Sequence, residues 1–259
     1  MRRILAVDPN MSTMSGSGKD SNRPSWPTYP HEVVAVVLSV REGILSVLMW
    51  QRAQAPYARR WALPGGGVGP TERLRAAITR HLAEKVDVYD LAHLEQLATH
   101  SNIKRDPRGR VLATGYLGIV PSSATPHLPR DTRWHPVDDL PPTAFDHADF
   151  IAAGIERLRA KLSYTNIGFA LAPAEFTLSE LRDIISAALA YPVAQTNMAR
   201  VMTRRNLIEP TRTLSSPGRS GGRPAALYRF RRRELAVTDP FAVLRPPGHR
   251  GKAGRPAKG

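Results

Sequence analysis

Residues 61–88 read WALPGGGVGPTERLRAAITRHLAEKVDV, and this stretch decides the fold of the first half of the chain. An apolar run ends at Pro64, and three glycines follow, Gly65 to Gly67. The glycines predict a turn with positive φ and a close approach of the backbone. Apolar residues at helical spacing then predict a helix over residues 71–86. A glycine loop that leads into a helix N-terminus favours phosphate, because the N–H groups and the helix dipole attract anions.

The same stretch resembles a Nudix box, the signature of enzymes that hydrolyse nucleoside diphosphates linked to another group. The family pattern is Gly, five residues, Glu, seven residues, and then Arg-Glu-apolar-x-Glu-Glu-x-Gly-apolar. The residues in register are Gly66, Glu72, Arg80, Leu82, Glu84 and Val88. The resemblance implies that this segment handles a diphosphate.

The departures from this pattern fall where the family holds Mg²⁺. His81 and Lys85 replace two of the three clustered glutamates, and Asp87 replaces the glycine. Positions 81, 84 and 85 share one helix face, which keeps one carboxylate and gains an ammonium group. A hard dication prefers oxygen ligands, so we expect no metal, no catalytic residue and no hydrolysis. The alternative is an active hydrolase of ADP-ribose-like substrates with a DNA-binding appendage, in which Glu72 and Glu84 remain and His81 supplies a nitrogen ligand.

Composition bounds the possible classes of protein. The chain has 259 residues, a net charge of +15 and no cysteine. Residues 161–259 hold 17 Lys/Arg against 6 Asp/Glu, whereas residues 1–160 hold 20 against 16. This concentration of positive charge predicts a polyanion partner for the C-terminal part. No apolar run reaches the ~20 residues of a membrane span. We expect a cytoplasmic, nucleoid-associated protein without a disulfide framework.

Strand and helix patterns surround the Nudix-like box. Apolar runs predict strands at 33–40 and 44–51, at 94–101 and at 111–120, and a helix at 145–162. This order predicts an α/β Nudix-like domain, a mixed sheet between helices, over residues 31–162. Residues 1–30 are rich in Ser, Pro and Gly and are expected to form a disordered tail.

Arginines in residues 105–110 (RDPRGR) have two interpretations: they form a solvated hairpin tip, or their guanidinium groups bind phosphate. DPRGRV resembles a segment of Nudix proteins that handle ADP-ribose. His147, at the start of a predicted helix, is interpreted as a cap or core residue. The candidate ligand-binding residues are Arg52, Gly66, Gly67, Glu72, Arg80, Glu84, Arg105, Arg108 and Arg110.

The C-terminal third predicts a winged helix-turn-helix domain over residues 163–233. Helices are expected at 179–190, after a capping box formed by Thr177 and Glu180, and at 194–206. Strands at 208–214 and 226–230 enclose a basic, glycine-rich wing. The candidate DNA-binding residues are Gln195, Thr196, Asn197, Arg200, Arg204 and Arg205 of the second helix and Arg219 and Arg223 of the wing. The alternatives are a helical dimerisation domain with a solvated basic face, and a basic protein without sequence preference.

Residues 31–232 as a whole resemble the Nudix-related transcriptional regulators of NAD metabolism, the NrtR family. The resemblance rests on PGGGV, DPRGRV, AFDHADFI, RLRAKLSYT, FTLSELRDI and GRPAALYRF, and on the segment around Asn197 and Arg200. It implies a homodimeric repressor that binds a palindromic double-stranded operator and is released by ADP-ribose or a related nucleotide, with no required cofactor. The family's usual Asn-Phe-Arg-Arg is here Asn-Met-Ala-Arg, which lacks the third residue's contact.

Residues 234–259 are basic and rich in Pro and Gly. Gly254-Arg255-Pro256 resembles the core of an AT-hook, which enters a narrow minor groove. A disordered basic tail is the preferred interpretation.

Overall fold

A computed structural model of the chain describes residues 27–215 and 224–239. The strands are β1 (His31–Arg41), β2 (Ile44–Gln51), β3 (Trp61–Ala62), β4 (Gly65–Gly67), β5 (His93–His100), β6 (Leu112–Ile119), β7 (Thr132–Pro136), β8 (Phe176–Thr177), β9 (Ile208–Leu214) and β10 (Ala226–Phe230). The helices are α1 (Leu74–Val86), α2 (His147–Tyr164), α3 (Gly168–Leu171), α4 (Leu178–Leu189) and α5 (Gln195–Arg204). Within these described residues, no helix is long and apolar enough to cross a membrane.

The first seven strands form one mixed sheet. Its order is β3-β2-β1-β6-β5, with β4 paired to β1 and β7 to β2. Only the β1–β6 pairing is parallel among the strand pairs that the structure describes here. Val33, Ala35 and Val37 of β1 belong to the same core cluster as the apolar residues of α1, whereas the alternate residues of β1 belong to the cluster on the α2 side. The period of two thus places helices on both faces, and the predicted mixed sheet between helices is confirmed.

The glycine segment differs from the predicted turn. Gly65 to Gly67 form strand β4, and none of the three has a positive φ. Close approach is the reason for glycine here, since a Cβ on Gly65 would collide with the Val33 carbonyl. The helix also begins at Leu74 rather than at 71, because residues before it form a turn in which Glu72 N–H bonds Gly69 O at 3.1 Å. The glycines therefore do not lead directly into a helix N-terminus, and the predicted glycine turn is corrected to a strand followed by a turn and then the helix.

The second half has the order and pairing of a winged helix. Helix α4 begins with the predicted capping box, in which Thr177 Oγ1 accepts from Glu180 N–H at 3.2 Å and the Glu180 carboxylate accepts from Thr177 N–H at 2.7 Å. Helix α5 follows, and β8, β10 and β9 form an antiparallel sheet. The tip of the wing, with Arg219 and Arg223, and the AT-hook-like segment lie outside the described residues.

The two halves share one hydrophobic core. Helix α4 packs on β1, β2 and α2, and Leu181 and Ile184 of α4 belong to the same buried cluster as Val47 and Met49 of β2. Helix α2 itself continues to Tyr164, beyond the boundary predicted at 162. The winged helix is therefore docked directly on the sheet of the first domain.

Residues 234–239 correct the predicted start of the C-terminal tail. The Asn166 side chain bonds the backbone of Glu234 at 2.9 Å and of Ala236 at 2.7 Å. Val237 forms an antiparallel bridge with Thr165. These bonds satisfy backbone groups of a segment that the composition assigned to disorder, so the ordered fold extends to 239.

Candidate functional site

A cavity of about 160 Å³ opens between β1, β2, β4 and α1. Its wall is completed by the loop before α2 and by an arginine of the 105–110 segment. The lining residues are Glu32, Val34, Trp50, Arg52, Ala62, Leu63, Gly65, Gly66, Lys85, Arg108, Phe145 and His147. Four of the predicted elements, the glycine segment, α1, Arg52 and the 105–110 turn, thus meet at one place.

Three cations dominate this cavity. The guanidinium groups of Arg52 and Arg108 lie 4.9 Å and 5.7 Å from the centre of the Phe145 ring. The Lys85 ammonium lies 5.3 Å from the centre of the Trp50 ring. Burial lowers the pKa of Lys85 and of Arg52 from their ordinary values, and Arg108 adds to the effect on Arg52. Such a cluster favours an anionic ligand, which would offset the mutual repulsion of the cations.

The carboxylates retained from the Nudix pattern are bound to an arginine. Arg80 donates to Glu72 at 2.9 and 2.8 Å and to Glu84 at 3.2 Å. The hydrogen bond from Arg80 lowers the pKa of Glu72 to about 2. The His81 imidazole is buried and donates from Nε2 to the Gly67 carbonyl at 2.9 Å. Among the described residues, no group of His, Cys, Asp and Glu is arranged to hold a metal ion.

Gly66 and Gly67 have different surroundings in this site. A Cβ on Gly66 would lie 2.6 Å from His81 Cε1, whereas a Cβ on Gly67 would meet nothing within 4 Å. Because Gly66 has no Cβ, the His81 ring can pack directly against β4. Gly67 contributes its carbonyl as the acceptor of that ring.

Arg105 corrects the hairpin-tip interpretation. Its side chain is 1% exposed, donates to Asp146 at 2.9 and 3.2 Å, and lies 3.8 Å from Glu32. Burial raises the pKa of Asp146, but hydrogen bonds from Arg105 and His100 outweigh it and the net pKa is lowered. Arg105 is therefore buried, and its ion pair with Asp146 links the 105–110 turn to the loop before α2.

The other arginines of the turn divide between two positions. Arg108 pairs with Asp106 at 2.6 Å and with Glu32 at 3.4 Å while lining the cavity. Arg110 stacks on Tyr29 at 4.5 Å and is not among the cavity's lining residues. The structure brings Arg52 and Arg108 together but leaves Arg110 outside.

A second cavity of about 550 Å³ shares Phe145 with the first. Phe145 lines both cavities and packs edge-on against Tyr57 at 4.9 Å. The second cavity is lined by Tyr57, His100, Ser101, Asn102, Lys104, Arg105, Phe145, Asp146 and Asp149. One small basic cavity beside a larger one with aromatic and polar walls has the dimensions of a site for a phosphorylated small molecule.

Sequence patterns missed several of these lining residues. Trp50 ends an apolar strand run, and Phe145 stands in a segment noted only as a motif. Because such aromatic residues are common in cores, only their position on the cavity distinguishes them. His147, in contrast, agrees with its interpretation as a core residue: it is buried and its Nδ1 accepts from Leu63 N–H at 2.9 Å. Burial lowers its pKa to about 3.

Helix α5 presents the second candidate surface. Met198 faces the core, while Thr196, Asn197, Arg200 and Arg204 are exposed. Arg200 donates to Asn197 Oδ1 at 2.8 Å, which aligns the two side chains on one face. A short exposed helix with these side chains beside a β-hairpin is the geometry that enters a DNA major groove.

Two predicted DNA contacts have partners within the protein. Arg205 donates to Asp239 at 2.8 Å and to the Ser163 carbonyl at 3.1 Å, with its side chain 18% exposed. It follows the last residue of α5 and joins that end of the helix to α2 and to the C-terminal segment, so its side chain is held within the protein and its role as a DNA contact stays a prediction. Gln195 accepts from Arg182 of α4 at 3.3 Å and remains partly exposed.

Fold and surfaces together define a class: a Nudix domain joined to a winged helix DNA-binding domain. Family comparison agrees, since the NUDIX domain family matches residues 29–154 and the NrtR DNA-binding winged helix domain family matches residues 168–230. The chain is 32% identical over 234 residues to the ADPR responsive transcriptional repressor NtrR of Acinetobacter baylyi, covering 85% of this chain and 91% of that one. The chain therefore belongs to the NrtR family of Nudix-related transcriptional regulators.

Two further relatives mark the limits of this similarity. The crystal structure of Shewanella oneidensis NrtR complexed with a 27mer DNA is 32% identical, with a TM-score of 0.66 over 77% of this chain and 92% of that one. An ADP-ribose pyrophosphatase of Methanocaldococcus jannaschii is 28% identical over 129 residues, 48% of this chain and 73% of the enzyme. Similarity to the regulators thus spans both domains, whereas the match to the enzyme spans 129 residues.

Proposed function

We propose that this protein is a transcriptional repressor of NAD synthesis or salvage genes. It binds operator DNA through α5 and the wing, and ADP-ribose or a related NAD-derived nucleotide in the Nudix domain releases it. The observation that carries the proposal is that the winged helix is docked on the same sheet that bears the basic cavity. The names of the Acinetobacter and Shewanella relatives support both halves of it, a repressor responsive to ADPR and a protein bound to DNA.

The nucleotide would lie across Phe145. Its diphosphate would contact Arg52, Lys85 and Arg108 in the small cavity, and its nucleoside would occupy the larger cavity beside Tyr57. Guanidinium groups bind phosphate oxygens with paired hydrogen bonds, and aromatic rings offer a face for stacking. Of the other predicted residues, Gly66 lines the cavity and Arg105 holds the loop before α2. Arg80 lies outside the lining and donates to Gly67, Glu72 and Glu84.

A direct packing route joins this site to the DNA-binding surface. Trp50 and Arg52 lie at the end of β2, whose buried residues contact α4 on the other face of the sheet. A nucleotide that prefers one arrangement of β2 would therefore bias the position of α4 and of the helix α5 packed on it. Coupling of about 1–3 kcal/mol, the usual size, changes DNA affinity by about 5- to 150-fold.

Operator binding would require two copies of the chain. In a two-fold symmetric dimer, recognition helices separated by roughly 34–36 Å reach successive major grooves of a palindromic site. The exposed residues Thr196, Asn197, Arg200 and Arg204 would make the contacts. Arg200 is best placed for a guanine or a phosphate because it stands one turn from the start of α5.

An operator titration tests the proposal. Full-length protein is titrated onto a labelled palindrome from upstream of NAD biosynthesis genes, with and without ADP-ribose, while hydrolysis is followed in the same tube. We expect tight binding that ADP-ribose weakens and no release of AMP. Turnover without specific binding would favour the alternative hydrolase, and equal affinity for a scrambled duplex would favour a protein without sequence preference.

A substitution identifies the surface. Arg200→Ala should abolish operator binding while leaving nucleotide binding and oligomeric state unchanged. Arg157→Ala, which removes the same charge from a half-buried side chain of α2 that pairs with Glu95 at 3.4 Å, is the matched control and should bind DNA like the wild type. Dissociation of the oligomer by Arg200→Ala would contradict the assignment of α5 to DNA.

A further inference from the structure

The lysine at position 85 is not a ligand for the Mg²⁺ ion that Nudix hydrolysis uses. Mg²⁺ prefers carboxylate and carbonyl oxygens. Here a lysine ammonium stands at one of the three family carboxylate positions, and an imidazole that already donates to Gly67 O stands at another. The remaining Glu84 is bound to Arg80. The residues present therefore do not fit a magnesium ion.

Lys85 is held in a fixed position inside the cavity. Its Nζ donates to the Gly65 carbonyl at 2.6 Å and lies over the Trp50 ring. The Trp50 ring is itself fixed, because its Nε1 donates to Leu63 O at 3.1 Å. An ammonium has three donors, so the bond to Gly65 leaves two for a ligand. The group is thus a positioned cation rather than a mobile surface lysine.

The charges around Lys85 leave a surplus of positive charge. Arg52 and Arg108 line the same cavity, and Glu32 is the single acidic residue among its described lining residues. Asp106, outside that lining, pairs with Arg108 at 2.6 Å. Within the described lining, Arg52 and Lys85 are therefore left with Glu32 alone. Glu32 is shared, since it also pairs with Arg108 at 3.4 Å and with Arg105 at 3.8 Å. A half-buried cation without a full counter-charge is costly, and a dianionic diphosphate would supply that charge.

We propose that the Lys85 ammonium takes the place of the magnesium ion, so that the site binds a nucleoside diphosphate without any metal. The inference rests on the proposed function and adds how the same site recognises its ligand. A lysine neutralises phosphate charge, but unlike a metal it does not bind a water molecule and lower its pKa. The same substitution therefore retains ligand binding and removes the means of hydrolysis.

Metal dependence of binding is the direct test. Full-length wild type is titrated with ADP-ribose by calorimetry in EDTA and again in millimolar Mg²⁺. We expect dissociation constants that agree within about twofold, because the ligand charge is already met by the protein. Binding that requires Mg²⁺ would overturn the inference but leave the proposed effector intact, whereas no binding in either buffer would count against the effector itself.

Variants at position 85 distinguish the effect of the positive charge of Lys85 on ligand binding from the effect of its packing. Lys85→Met keeps the length of the side chain and should weaken ADP-ribose binding in EDTA by about 10- to 100-fold, the loss expected for charge-assisted hydrogen bonds. Lys85→Glu should bind as weakly in EDTA and recover part of its affinity with Mg²⁺. Arg73→Met, the same loss of charge on an exposed residue just before α1, should bind like the wild type.

Operator binding without nucleotide reports whether each variant is folded. It should be unchanged in all three, because positions 73 and 85 lie before and within α1 and not on α5. A Lys85→Met protein that binds DNA and retains wild-type affinity for ADP-ribose in EDTA would overturn the inference. So would a Lys85→Glu protein that binds ADP-ribose tightly in EDTA.

Discussion

Gly66→Ala tests whether β4 and α1 are packed as the structure shows. A Cβ at this position would lie 2.6 Å from Cε1, 2.8 Å from Nε2 and 3.1 Å from Nδ1 of His81. The imidazole is 7% exposed and has little space to move. The ring must therefore shift and lose its hydrogen bond to the Gly67 carbonyl.

The expected cost combines three terms. Overpacking of a core costs about 1–3 kcal/mol. The lost hydrogen bond costs about 1 kcal/mol. Replacing glycine reduces the entropy of the unfolded chain and returns about 0.4–1 kcal/mol. We expect Gly66→Ala to lower the free energy of unfolding by about 1–3.5 kcal/mol, within the range of measured core substitutions.

Urea unfolding of the full chain measures this loss, and two variants make the test specific. Gly67→Ala is the matched control: its Cβ would meet nothing within 4 Å, so only the entropy term remains and the free energy of unfolding should rise by at most about 1 kcal/mol. Adding His81→Ala to Gly66→Ala removes the colliding ring. The double variant should therefore lose at least about 1 kcal/mol less than the sum of the single losses. Additive losses, or equal losses at Gly66 and Gly67, would refute the packing argument.

Two further predictions concern protonation and DNA contact. Burial lowers the pKa of His147 to about 3 in the fold, so the unfolded chain binds more protons below about pH 6.5. The free energy of unfolding should therefore fall with decreasing pH by up to ~1.4 kcal/mol per pH unit. His147→Gln should reduce that slope in urea titrations at several pH values. Arg204 is exposed on α5 whereas Arg205 pairs with Asp239. Arg204→Ala should lower the salt-dependence slope of operator binding by about 1, and Arg205→Ala should leave that slope unchanged; equal effects would return Arg205 to the DNA contacts.

Local patterns determined most of the architecture. Continuous apolar, β-branched runs predicted β1 and β2, helical spacing predicted α1 and α4, and Thr177 with Glu180 predicted a capping box that the structure reproduces. These features depend on neighbours within a few residues, so a single sequence contains them. The combination of a Nudix-like box with a basic helix pair also identified the family.

Residue roles depended on partners far along the chain. The sequence left Arg105 open between a solvated hairpin tip and a phosphate ligand, yet its side chain pairs with Asp146, 41 residues later in the chain. The sequence predicted that Arg205 continues a basic recognition helix, yet its guanidinium group pairs with the carboxylate of Asp239, 34 residues later in the chain. The sequence shows that an arginine is charged, but only the folded structure shows which carboxylate pairs with it.

The sequence by itself determined the two domains, their order and the presence of His81 and Lys85 where the Nudix pattern has glutamates. The tertiary structure decided why Gly66 must be glycine, which arginines reach the cavity and what Lys85 does there. Spacing along a helix reveals that an ammonium replaces a carboxylate. Only the meeting of β1, β2, β4 and α1 shows that this ammonium points into a basic cavity, because burial and electrostatic partners arise when distant segments pack together.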